Sequence, residues 1–153
     1  MKSAHLSQTL LSLLTAVTLM TAITNSFAAD NSEWRVLFDG TSTDEWRGYN
    51  SNSLPTAWKV EGDELVLRPG SGEAGDIMSK RIFGDFELHM QWMVEEGGNS
   101  GIFYHVLEQP DQSIYWSGLE MQILDDENHP DSFRGVDGNR QAGSLYDLLP
   151  IQP

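Results

Sequence analysis

The sequence predicts an all-β chain, an antiparallel β-sandwich, and three observations carry that expectation. Apolar residues recur with period two, most clearly in DFELHMQWMVEE, where Phe86, Leu88, Met90, Trp92 and Val94 fall on one face and Glu87, His89, Gln91, Met93 and Glu95 on the other. Turn signals punctuate the chain at short intervals: Asp39-Gly40, Glu61-Gly62-Asp63, Pro69-Gly70-Ser71-Gly72, Gly97-Gly98-Asn99, Gln109-Pro110-Asp111 and Asp137-Gly138-Asn139. Beyond the first 28 residues no stretch shows a helical period, and many short strands at this spacing argue for a sandwich.

The opening residues belong to a different element. Met1 and Lys2 begin a short basic region, Leu10 to Ile23 is apolar except for Ser and Thr, and Ser26-Phe27-Ala28 places small residues at the −3 and −1 positions of a signal-peptidase site. Residues 1–28 therefore read as a signal peptide and residues 29–153 as one domain, exported to the periplasm or the exterior. The chain has no Cys, which excludes both disulfides and a lipid anchor on Cys. Lys2 is the only Lys, Arg, Asp or Glu in the leader, so its removal makes the formal charge of −14 one unit more negative. Such a surface repels nucleic acid and anionic membranes, whereas neutral ligands such as sugars, or cations, remain compatible with it.

Strands are expected, in order, at Trp34–Phe38, Ala57–Val60, Glu64–Leu67, Asp76–Ser79, Phe86–Val94, Ile102–Val106 and Leu119–Leu124. The alternation assigns faces. With Phe86 to Val94 packed inward, Glu87, His89 and Gln91 look out; Phe103, His105, Glu120 and Gln122 look out by the same logic. A polar face carrying Glu, Gln and His from neighbouring strands would form the floor of a groove, although an ordinary solvated sandwich face has the same pattern.

Several segments, taken in order, resemble the 3-keto-disaccharide hydrolase domain family. They are Leu37-Phe38-Asp39-Gly40 with Trp46, Trp58-Lys59-Val60 with Gly62 and Leu65, Gly75-Asp76-Ile77 with Ser79-Lys80, and Phe83-Gly84-Asp85-Phe86-Glu87-Leu88. Asn99-Ser100-Gly101-Ile102, Glu120-Met121-Gln122-Ile123-Leu124-Asp125 and Gly143-Ser144-Leu145-Tyr146 complete the set. The resemblance implies a concanavalin A-like jelly roll, related in fold to β-glucanases. It also implies that the domain normally continues with a Trp-Asn segment, a strand pair and a final strand, so this chain is expected to lack the C-terminal third, leaving an open sheet edge and part of the core uncovered.

A retaining glycosidase needs two carboxylates about 5 Å apart. In the related β-glucanases they sit four residues apart on one strand, and here the corresponding same-face positions are Glu120, Gln122 and Leu124, so the second carboxylate is missing. The resemblance implies a different substrate, a glycoside oxidised to a ketone at carbon 3. Its carbon-2 hydrogen is acidic, so one general base can start an elimination that expels the aglycone before water adds back. Glu120 is the candidate base, and Gln122 is a candidate to hold a sugar hydroxyl. His105 and His129 are candidates for acid, base or metal ligand; Asp125 could orient one of them or bind a divalent metal polarising the ketone. Asn99, Trp116 and Tyr146 are candidate substrate contacts, with Asn99-Ser100-Gly101 read as a tight turn before a strand. A non-catalytic carbohydrate-binding module, using Trp116, Tyr115, Asn99 and Gln122, is the alternative.

Overall fold

The computed structural model describes residues 34–151; the signal-peptide reading of residues 1–28 lies outside the described residues. Among the described residues there are six strands: β1 Trp46–Gly48, β2 Trp58–Glu61, β3 Glu64–Leu67, β4 Ile77–Ser79, β5 Asn99–Tyr104 and β6 Leu119–Leu124. All pairing between them is antiparallel, and among the described residues only two short 3₁₀ turns, Ile114–Trp116 and Pro130–Phe133, break the all-β character. The strands form three two-stranded ladders, β1–β4, β2–β3 and β5–β6.

Local chemistry explains the tightest of these pairs. Glu61 faces Glu64 across β2–β3, leaving Gly62 and Asp63 as a two-residue loop. Gly62 takes φ 65° there, the left-handed value that such a loop requires of its first residue and that glycine adopts without a side-chain clash.

Two expected strands are absent. Residues 34–38 are irregular; the Leu37 carbonyl instead accepts the indole N–H of Trp46 at 2.7 Å, and the strand in this region is β1, which the sequence pattern did not mark. The segment from Phe86 to Val94 has no assigned secondary structure and joins no ladder among the described residues. Alternation prepares a strand for pairing, but a strand also needs a neighbour to take its N–H and C=O groups, and none of the described strands pairs with this segment. Its apolar face is consequently open, with Trp92 45% exposed where burial was expected.

The β5–β6 pair is built more fully. Its register sets Asn99 opposite Leu124, Gly101 opposite Gln122 and Phe103 opposite Glu120, so these six residues share one face. Asn99-Ser100-Gly101 is thus the first half of β5 rather than the turn before it; the reversal falls earlier, where Gly97 takes φ 69° and the Gly98 N–H donates to the Glu95 carbonyl. On its other edge, β6 is met by residues 143–146. Gln122 N–H donates to Ser144 O at 3.0 Å, Gly143 N–H to Gln122 O at 2.8 Å and Tyr146 N–H to Glu120 O at 2.9 Å.

β6 also carries half of the buried apolar residues among those described: Ile123 and Leu124, the others being Ala57 and Ile114. Burial along β6 deepens towards its C-terminal end on both faces, so Gln122, expected on a solvated face, is 1% exposed. Alternation assigns side chains to faces, but which face is covered depends on what the chain lays over it.

Candidate functional site

Glu120 is the chemical centre of the β5–β6 face. It sits on a strand hydrogen-bonded along both edges, which fixes its backbone, and it lines an open cavity of about 590 Å³ with Asn99, Phe103, Tyr115, Gln122 and Tyr146. Partial burial is the main cause that pushes its carboxyl up to about 7 from an ordinary 4.5, and the negative charges of Asp76 and Asp131 add to the shift. A carboxylate in that range is half deprotonated at neutral pH, so it can accept a proton and release it again.

Beside Glu120 lies a polar network centred on Asp131, a buried residue the sequence reading did not single out. The Tyr146 hydroxyl donates to Asp131 Oδ2 at 2.7 Å, and Arg140 Nη1 donates to Asp131 Oδ1 at 3.1 Å. Arg140 also grips Asp147 through Nε and Nη2, both at 2.9 Å, and its guanidinium lies 5.3 Å from the centre of the Tyr146 ring. The hydrogen bond from Tyr146 is the largest cause holding the Asp131 carboxyl below its usual range, and it correspondingly raises the Tyr146 phenol. No local motif announces this cluster, because Asp131, Arg140 and Tyr146 share neither a strand nor a period and meet only through the loops.

The remaining candidates are placed as follows. Asn99, Gln122 and Tyr146 join Glu120 in the cavity lining; His105, His129, Trp116 and Asp125 are not among the lining residues. His105 follows the last residue of β5 with φ 56°, which ends the strand's alternation, and its ring stacks edge-on with Tyr104 at 5.5 Å. His129 caps the second 3₁₀ turn, its Nδ1 accepting the Asp131 N–H at 3.2 Å. Trp116 is 72% exposed, tilted against Tyr115 at 5.4 Å, and it is Tyr115 that reaches the cavity.

Asp125 organises the turn after β6. One carboxylate oxygen accepts the Gly97 N–H at 2.7 Å and the Asn128 amide at 2.8 Å; the other accepts the backbone N–H groups of Glu127 and Asn128. These bonds, led by that from Gly97, hold its carboxyl below the usual range. These hydrogen bonds give the Asp125 side chain a turn-forming role, and among the described residues no group of three or more His, Cys, Asp or Glu is arranged to hold a metal ion.

The described residues thus define an all-β chain with a raised carboxyl, that of Glu120, in a polar, aromatic-flanked cavity that Asp147 also lines, and with no second carboxylate at the same-face positions 122 and 124 of β6. Residues 33–152 match the model of the 3-keto-alpha-glucoside-1,2-lyase-like domain, and the chain belongs to that family. It is also 39% identical over 140 residues to a 3-keto-disaccharide hydrolase of Bacteroides thetaiotaomicron, an alignment covering 81% of this chain and 48% of that protein. The chain thus spans about half the length of the curated relative it matches.

Proposed function

We propose that this chain is an exported carbohydrate-active protein that cleaves the glycosidic bond of 3-keto-glycosides by elimination followed by hydration, with Glu120 as the general base. The observation that carries the reading is the position of Glu120: partly buried in the cavity, with its carboxyl raised to about 7 and no second carboxylate at the same-face positions 122 and 124. Family membership supports the substrate class, and the printed name of the relative supports a net hydrolysis. The leader-like sequence of residues 1–28 supports export.

In this mechanism the Glu120 carboxylate removes the proton from carbon 2, and the electron pair of that bond delocalises onto the ketone at carbon 3. Collapse of the enolate forms the carbon 1–carbon 2 double bond, breaks the bond from carbon 1 to the glycosidic oxygen and regenerates the ketone; the departing oxygen takes up a proton. Water then adds its hydroxyl to carbon 1 and a proton to carbon 2. The 3-keto sugar and the free aglycone result, which is hydrolysis overall. Raising the base towards neutrality matters because a carboxylate at its ordinary 4.5 is a weaker proton acceptor than one near 7. Asn99 supplies an amide to hold a sugar hydroxyl, Tyr115 supplies an aromatic wall, and the buried Gln122 forms part of the cavity floor beside Glu120.

Turnover of a 3-keto-glucoside by the parent and by Glu120→Gln, with and without chelator, tests the proposal. The variant should lose on the order of 10²–10⁴ in kcat, and parental turnover should rise with pH through a midpoint near 7. Unchanged turnover in Glu120→Gln removes it as the base. The exposed Tyr115–Trp116 ring pair suits the alternative reading as a carbohydrate-binding module, and saturable sugar binding without turnover by the parent would establish that instead.

A further inference from the structure

We propose that Gly101 is a positioning residue for the reaction: the missing side chain at this position of β5 is the seat in which the Glu120 carboxylate rests. This rests on the reading of Glu120 as base. Gly101 and Glu120 lie on the same face of the β5–β6 ladder, offset diagonally, because Gly101 pairs with Gln122 and Phe103 with Glu120. A Cβ added to Gly101 would stand 2.7 Å from Glu120 Cδ and 2.8 Å from Glu120 Cγ, and would collide with Glu120 Oε1 itself. All three nearest atoms belong to the Glu120 side chain and none to backbone.

Two features separate this from an ordinary strand glycine. The backbone of Gly101 does not take a positive φ, so nothing in its conformation demands glycine, and alanine is acceptable to a β-strand at this point. The obstacle to a larger residue is also the movable end of a flexible side chain. A methyl group here would therefore displace the carboxylate before it disturbed the ladder. Gly101 accordingly sets the direction from which Glu120 meets the substrate and how much water surrounds it, and a shift of about 1 Å in such a group can cost about 100-fold in rate.

Gly101→Ala in the full chain tests the inference through two readouts that a purely structural role would not move. The first is the ionisation of Glu120, followed by its side-chain carboxyl carbon in an NMR titration and assigned by its loss in Glu120→Gln. Alanine should move the midpoint from about 7 towards the ordinary 4.5 as the carboxylate is pushed into water. The second is turnover, in which kcat should fall by about 10- to 100-fold while KM changes little.

A Gly101→Ala protein with parental kcat and an unmoved Glu120 midpoint overturns the inference. If Glu120→Gln keeps full turnover, the base assignment fails instead, whereas the titration still reports on the seat. Should Gly101→Ala fail to fold, Gly101→Ala/Glu120→Ala decides: recovery of the parental melting transition shows that the clash is with the Glu120 side chain, and continued unfolding refutes it.

Discussion

Strand β6 is hydrogen-bonded along both edges, by β5 on one side and by residues 143–146 on the other, whereas the segment from Phe86 to Val94 pairs with no described strand. Both segments alternate apolar and polar residues. In β6 the pairing is accompanied by burial that ends with Ile123 and Leu124 in the core, and it carries the candidate base. In residues 86–94 the same kind of pattern leaves Leu88, Met90 and Trp92 nearly half exposed. The difference teaches that periodicity gives a strand its two faces, while stability and chemistry come from the neighbours that cover one face and shape the other.

Core truncation should divide the two regions most sharply. Ile123→Ala should cost about 2–4 kcal/mol, since it opens a cavity in a covered strand, while Leu88→Ala should stay within about 0.5 kcal/mol. Urea midpoints for the two variants check this, and equal losses would mean that residues 86–94 are covered in solution. Next in size, Tyr146→Phe removes the hydroxyl that Asp131 accepts at 2.7 Å and leaves Arg140 as its remaining strong partner. A loss of about 1–3 kcal/mol in the same measurement is expected for a bond to a buried charged group.

A smaller effect has the opposite sign. Folding raises the Glu120 carboxyl from 4.5 to about 7, so the folded chain holds this proton more tightly than the unfolded chain does. Stability from this group is fully present below about pH 4.5 and is lost as the pH rises to about 7. Glu120→Gln should therefore stabilise the protein by about 1–2 kcal/mol at pH 8, after allowance for solvent screening, and by nearly nothing at pH 4. Thermal melts across that range would show it, and a gain that is largest in acid would contradict it.

The least of the four concerns Asp76, which is exposed and acts on Glu120 only through its charge. Asp76→Asn should lower the Glu120 midpoint, and the acid limb of turnover with it, by a fraction of a pH unit. The same substitution should leave the melting temperature near that of the parent.

Much of the β5–β6 region was legible before folding. The limits of β6, the turn at Gly62 between two strands, the shared face of Glu120 and Gln122 and the absence of a carboxylate at positions 122 and 124 all follow from period two, turn chemistry and residue type. The Asp131–Arg140–Tyr146 cluster was not legible, because its members come from a short 3₁₀ turn and the turns that follow it, whose paths no local pattern fixes. Nor was the displacement of His105 and His129 from the cavity lining. One is turned by a left-handed residue at the end of a strand, and the other is engaged by a backbone N–H two residues away.

The sequence by itself determined the all-β class, most strand positions, the acidic charge and the single carboxylate on the β6 face, since each depends on residue type and spacing alone. Only the tertiary structure decided that Gln122 is buried, that Leu88, Met90 and Trp92 stay exposed and that Glu120 rests over Gly101. Those outcomes depend on which segments come to lie against each other, and desolvation, steric exclusion and long-range charge act only between groups that folding has brought together.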